Sequence, residues 1–397
     1  MPMMLPVTFR LLQQIFRQDG YRVELLDSTS RAIVETGLKY VHNDTCYPAL
    51  LVIGQMIEAI QSRRYDADRV ALLITQTGGG CRASNYIHLL RRALRRAGLG
   101  HIPVVSFNLS GMEKNPGFSL NFGLLRRMVA GMLYGDLLMH LGNQCRPYEV
   151  TAGETDALIT RWSDDLVTRL AKSGGLNRRA MYPLMRQIAA DFAAIDLRDE
   201  QKPLVGIVGE IYVKFAPLGN NNLEEFLLSE GCEVVVPGLA DFMLFKIDNR
   251  IEDINLYGGS RLKQRAAAIF LRYIARRQQC MIDAVKTQPK FRAMESFAAL
   301  KASVRGFLSY GNKMGEGWLL TAEMIELIHA GVGNIICTQP FGCLPNHIVG
   351  KGMMRRLKDE FPAANIVAID YDAGATKINQ ENRIKLMLSN AERAVDS

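Results

Sequence analysis

Four cysteines carry the chemistry that this sequence could do. Cys337 ends the apolar run Ile335-Ile336, and Cys343 follows six positions later across a Pro/Gly turn. Cys46 stands in His42-Asn-Asp-Thr-Cys-Tyr-Pro48, just ahead of a helical stretch. Cys81 closes Gln76-Thr-Gly-Gly-Gly-Cys81, between an apolar strand and a helix. Thiolates select iron–sulfur clusters, zinc and Cu(I), and a cluster needs sulfurs that converge where small residues let the backbone come close. At Cys46 the partial positive charge of a helix start also favours the thiolate. Spacing this wide leaves metal or cluster ligation and ordinary packing both open. Cys145, Cys232 and Cys280 lack such turns and read as buried small hydrophobes.

Other polar residues have two readings each. His42 lies four residues before Cys46 and His347 four after Cys343; each is a ligand or acid/base group, or a hydrogen-bonding residue at a helix start. Glu210 and Glu316 sit in loops beside apolar elements, as general bases or as helix caps. Asp370 and Asp372 bracket a strand end and read as turn or capping residues. Gly78-Gly79-Gly80 opens a helix as a phosphate cradle does, but it has neither glycine fingerprint spacing. A tight turn that lets Cys81 face a cavity accounts for it.

The elements that position these residues alternate. Helices are expected over Val7–Arg17 and Ser30–Lys39, with a short strand at Tyr21–Leu26 between them. Leu50, Ile53, Ile57 and Ile60 form the stripe of the helix after Cys46. Arg69–Thr75 reads as a strand buried on both faces, followed by a helix stopped by Gly98, and His101–Phe107 as the next strand. Phe122–Leu141 is a long helix, and residues 154–195 are mostly amphipathic helix. The pattern then recurs: strand Pro203–Gly209, a polar turn Glu210–Asn222, helix Leu223–Glu230 and strand Cys232–Pro237. Helices are expected at Arg261–Lys286, Lys290–Gly306, Trp318–Ala330, Val349–Glu360 and from Ile378, with strand Asn365–Asp370 among them. Strand–helix alternation argues for an α/β protein with parallel, doubly wound sheets, whose ligands bind outside the carboxyl ends of the strands. The division expected is a first α/β domain over 1–150 with Cys46 and Cys81, a helical connection over 151–200, and a second α/β domain over 201–397 with Cys337 and Cys343.

Composition narrows the class. The 397 residues are 48% hydrophobic and 22% charged, ordinary for a globular chain. The net charge of +8 comes from clusters such as Arg91-Arg92 and Arg355-Arg356, a solvated face or a docking surface for an acidic partner. No nucleic-acid recognition motif accompanies them. No apolar run is long enough for a membrane span, and the N-terminus lacks a signal-peptide pattern. Seven scattered cysteines argue against a disulfide framework and for a reducing, cytoplasmic compartment. The first strand of the first unit reads as short or missing, as in one piece of a larger, separately encoded architecture.

Three stretches, Asp44-Thr-Cys-Tyr-Pro-Ala49, Gln76-Thr-Gly-Gly-Gly-Cys-Arg-Ala-Ser-Asn-Tyr86 and Cys337-Thr-Gln-Pro-Phe-Gly-Cys-Leu-Pro-Asn-His-Ile348, strongly resemble the 2-hydroxyacyl-CoA dehydratase D-component (2-hydroxyglutaryl-CoA dehydratase-like) family. The resemblance is closest to the dehydratase-like region of proteins related to acyl-CoA dehydratase activases, and it runs from about Tyr21 to Leu388. It implies two Rossmann- or flavodoxin-like domains with a [4Fe-4S] cluster at their interface. In that family three cysteines hold the cluster and an open iron meets the substrate. An ATP-hydrolysing iron–sulfur activase supplies the electron that turns a 2-hydroxyacyl-CoA thioester into a ketyl radical, which loses hydroxide. Carried over, Cys46 and Cys81 are first-domain ligands, Cys337 comes from the second domain, and Cys343 is a fourth ligand or a near neighbour. The resemblance further implies a second dehydratase-type subunit or a homodimer, and an acyl-CoA-like substrate. Beside this lyase or ATP-dependent reductase stand other readings: a double-cubane reductase of small molecules, a non-catalytic electron-transfer module, and a zinc scaffold.

Overall fold

The computed structural model describes residues 1–42, 44–76, 80–108, 115 and 117–395. Thr77, Gly78 and Gly79 of the glycine turn, and Ser110 and Gly111 of the turn after the His101–Phe107 stretch, lie outside the described residues. The fold is mixed α/β, with two parallel sheets and many helices. Strands β1 (Leu72–Thr75) and β2 (Val104–Phe107) pair in parallel, Leu72 opposite Val104. The second sheet comprises β3 (Leu204–Gly209), β4 (Glu233–Val235), β5 (Asn334–Pro340) and β6 (Asn365–Tyr371), in the order β4-β3-β5-β6 and parallel throughout. The chain leaves β3 for β4 on one side and later returns to β5 on the other. The strand order therefore reverses between β3 and β5, the place where open parallel sheets form a binding crevice.

Three apolar cores hold this frame. One is helical: Pro6–Gln18, Phe122–Cys145, Glu154–Ala171, Arg178–Ala193 and Arg261–Val285 bury their stripes together, so that residues 154–193 pack into a layer. A second joins helix Tyr47–Gln61, through Leu51, Ile53 and Ile57, to Val205, Ile207 and Ile336 of the second sheet. The third covers the other face of that sheet, with Val208, Ile335 and Cys337 against Leu320 and Met324. Among the described residues no helix is long and apolar enough to cross a membrane.

Several elements depart from the sequence reading. Tyr21–Leu26 is not a strand, because the Gln13 side chain takes the Val23 carbonyl and the Met1 amine takes that of Glu24; Leu26 alone bridges Pro2. Strand β1 alternates buried and more open positions and is not covered on both faces. The stretch after Glu210 forms two short helices, Ile211–Phe215 and Pro217–Asn220, laced by the Asn220 amide donating to the Val213 and Lys214 carbonyls. Within 290–306 only Phe297–Ser303 is helical, because Arg292 gives its N–H to Gln144 and its carbonyl to His140 and Gln144, and Ser296 caps the helix. Helix Leu239–Tyr257 was not anticipated; its N-terminal N–H groups are taken by Asp136 from another helix. In place of one helix over 349–360 stand Leu344–Val349 and Met354–Glu360, divided at Gly350, where a Cβ would meet Asn346 Oδ1 at 2.4 Å.

Candidate functional site

The carboxyl ends of β1, β3 and β5 point toward one region. After β1 comes Cys81, which precedes a short 3-10 turn, Arg82–Asn85, and helix Tyr86–Arg96. After β3 comes Glu210, and after β5 comes Cys343, the residue before helix Leu344–Val349. Cys46 precedes helix Tyr47–Gln61, and that helix start is docked on the end of β5: the Tyr47 N–H donates to the Phe341 carbonyl at 3.0 Å. Gly342 has φ +70°, and a Cβ there would meet Cys46 Cα at 3.1 Å. Only glycine permits both the left-handed turn and this backbone approach. Across the site, a Cβ on Gly315 would sit 3.8 Å from Cys81 Sγ and 3.0 Å from Pro345 Cγ, so the loop before helix Trp318–His329 closes over both.

Cys46 and Cys343 are buried and Cys81 is partly open. Cys46 Sγ lies 3.0 Å from the Tyr86 hydroxyl. Burial raises the Cys46 pKa, opposed by that hydrogen bond. Burial pushes Cys81 up to about 11, and the Glu316, Glu210 and Cys46 charges add to it. Cys343 is raised further by burial, then by Glu316, Glu210 and Cys81. These three thiols and two carboxylates share one electrostatic neighbourhood.

Both glutamates are buried and serve the amino end of helix Ile211–Phe215. Glu210 accepts from the Val213 N–H at 2.9 Å and Glu316 from the Ile211 N–H at 3.0 Å. Burial and then Glu316 push the Glu210 carboxyl up to about 8. Lys246, on helix Leu239–Tyr257, donates to the Gly315 carbonyl at 2.7 Å. Burial lowers its pKa against the pull of Glu316 and Cys81. Neither Lys246 nor Tyr86 was singled out from the sequence. Tyr86 closes the Gln76–Tyr86 motif, whereas Lys246 belongs to a helix that carries no motif.

Cys337 stands elsewhere. Strand β5 continues past it to Pro340, paired with β6 from Asn334–Asn365 to Pro340–Tyr371, so the thiol lies inside the strand. Its Sγ is 3.4 Å from Asn346 Oδ1, and a Cβ on Gly350 would touch it at 3.1 Å. Burial pushes it up to about 12, and the charges that act on it are those of Asp370, Glu323 and Lys351. Cys46, Cys81 and Cys343 are thus brought together, and Cys337 faces the third core.

The remaining candidates have ordinary partners. His42 is exposed and its Nδ1 accepts from the Asp44 N–H. His347 is exposed on helix Leu344–Val349. Asp370 pairs with Lys351 and Arg383, and Asp372 takes the Gly374 and Ala375 N–H groups of a turn. Cys145, Cys232 and Cys280 are buried, as small hydrophobes are. Among the described residues no group of three or more His, Cys, Asp or Glu side chains stands as a cage for one metal ion.

The fold and site together define a parallel α/β protein with thiols and carboxylates gathered beyond the carboxyl ends of its strands. Its residues 2–69, which include Cys46, match the family described as "CoA enzyme activase uncharacterised domain (DUF2229)". No curated protein matches the chain.

Proposed function

We propose that Cys46, Cys81 and Cys343 hold an iron–sulfur cluster, most simply [4Fe-4S], and that Cys337 is a structural residue of β5. The observation that carries this reading is the shared environment of those three thiols, contributed by three separate turns. Their chemistry fits: soft sulfur donors, two flanking glycine turns and a concentration of latent negative charge that a cationic iron–sulfide core would offset. Thiols raised by burial release their protons when such a core binds. A cubane spaces its cysteine sulfurs more widely than a single ion spaces its ligands, which suits three separate turns better than a zinc site does.

The cluster, when bound, supplies single electrons, received from an ATP-dependent activase and used for radical dehydration or reduction of an acyl-CoA-like substrate. The activase-related match at residues 2–69 and the sequence motifs support this assignment. In it, Glu210, whose carboxyl burial disposes to hold its proton, would supply the proton that turns departing hydroxide into water. Tyr86 orients the Cys46 thiolate, and Lys246 balances the charge of Glu316. We further read the two sheets as the centres of two flavodoxin-like units, with the second unit in the 2-1-3-4 strand order.

The test is anaerobic purification with iron and sulfide analysis of single Cys→Ser variants. The parent should be brown, with broad visible absorbance. Variants at Cys46, Cys81 and Cys343 should lose most of their iron, and Cys337→Ser should keep it. A colourless, zinc-loaded protein, or a full cluster in Cys343→Ser, would overturn the reading. Turnover with an activase, ATP and a panel of 2-hydroxyacyl-CoA thioesters then separates an enzyme from an electron relay.

A further inference from the structure

A cavity of about 600 Å³, with none of Cys46, Cys81 and Cys343 on its wall, lies beside the edge strand β4. Its walls come from helices Phe122–Cys145, Leu239–Tyr257, Arg261–Val285 and Trp318–His329, and from residues 292–300. Most of the wall is apolar, with Met139, Met281, Met294 and Leu327 prominent. The volume is that of a small-molecule site.

Four carboxyl residues line this apolar space: Asp136, Asp241, Glu326 and the exposed Glu295. Asp136 is spent on the Leu239 and Ala240 N–H groups. Asp241 is 7% exposed, and one of its oxygens accepts from Gln278 Nε2 at 2.6 Å. Its other oxygen has no hydrogen-bond partner among the described residues. Glu326 accepts one N–H, from Glu295, at 3.1 Å. Among the described residues none of Asp136, Asp241, Glu295 and Glu326 is in an ion pair. Arg292, the one Arg or Lys on the wall among the described residues, is engaged by Glu233. Of the two wall histidines, His329 is exposed, and His140 is held neutral, its pKa pushed down to about 4 by burial. A buried carboxylate without a cation is costly, and a protein holds one by protonating it or by pairing it.

We propose that this cavity binds a small organic ammonium ion with an apolar body, the ammonium on Asp241 and Glu326 and the body on the methionines. The mixed wall supports this choice: carboxyl oxygens with free acceptor capacity stand on it together with thioether and aliphatic groups. Among the described residues these carboxyls form no cage of three or more groups for a metal ion, whereas an ammonium donates three N–H groups and can reach two acceptors from one side. Burial raises Glu326 to about 7, and burial and then the Glu326 charge raise Asp241 well above the usual carboxylate range. An arriving cation therefore displaces protons from carboxyls that burial disposes to hold them.

Titration calorimetry on the full chain, with phenethylammonium and butylammonium as probes and phenylethanol as the neutral control, tests this. Saturable binding of at least one ammonium is expected, with about tenfold or greater loss for the alcohol and for Asp241→Asn or Glu326→Gln, the effect of one charge-assisted contact. Asp241→Asn keeps an acceptor for Gln278. Should either variant fail to fold, the parent alone decides: binding at pH 7 measured in two buffers of different ionisation heat should show proton release. No binding by either ammonium, equal binding of the alcohol, undiminished binding in the folded variants, or binding without proton release overturns the proposal.

Discussion

Glu210 and Glu316 meet at the amino end of a five-residue helix. Each satisfies an N–H that the helix cannot, and the cost of burying both falls on the ionised form of Glu210. With its pKa at about 8 in the folded chain against about 4.3 in the open chain, Glu210 is protonated when folded and ionised when unfolded across the interval between. The unfolded state there binds fewer protons, so this residue's contribution to stability falls as pH rises. Glu210→Gln keeps an acceptor for Val213 and removes the ionisation. In metal-free protein the variant should therefore gain on the parent from about pH 4.5 to 8, by up to about 1.4 kcal/mol per pH unit. Urea denaturation at a series of pH values reads this gap, and a gap independent of pH would show that Glu210 ionises as a solvated carboxyl does.

At the scale of elements, the site rests on a buried ion pair between helix Ile211–Phe215 and helix Trp318–His329. Lys214 Nζ reaches both oxygens of Glu323, at 2.9 and 3.2 Å, with the two side chains 4% and 2% exposed. Burial outweighs the attraction of Lys214 and raises the Glu323 carboxyl. Removing one member strands the other's charge, so Glu323→Gln should destabilise by about 3–5 kcal/mol. Replacing both, as Lys214→Met with Glu323→Leu, should recover much of that loss, since an apolar pair needs no desolvation of charge. Chemical denaturation of the three variants distinguishes the cases; a double variant as unstable as the single one would show that the pair also aligns the two helices.

At the scale of the molecule, the second core decides cooperativity. Helix Tyr47–Gln61 buries Leu51, Ile53 and Ile57 in the same cluster as Val205, Ile207 and Ile369. Two self-contained units would unfold apart; a common core ties them together. Both tryptophans, Trp162 and Trp318, lie in the helical core, whereas circular dichroism reports every helix. Their denaturation curves should coincide, in one transition. Two separated midpoints would show that the helical layer unfolds independently of the sheets.

By itself the sequence determined the local grammar: apolar runs that end in glycine-rich turns, helices that follow them, and thiols at those junctions. Cys46, Cys81 and Cys343 were legible as residues before helices, since Pro and Gly mark such places within a few positions. Glu210 was legible as a possible cap, and it is one. The facing of Cys337 was not legible. Its apolar run stops at the thiol, but strand β5 continues to Pro340 because β6, distant in sequence, goes on pairing with it. That extra length puts Cys337 on the same face as Ile335, in the third core, and moves the strand end toward Cys343. Likewise only the tertiary structure brought Lys246 to the thiols and Asp136, Asp241 and Glu326 to one cavity. Hydrogen-bond pairing and burial between distant segments set those positions, and neither is written in any local run of residues.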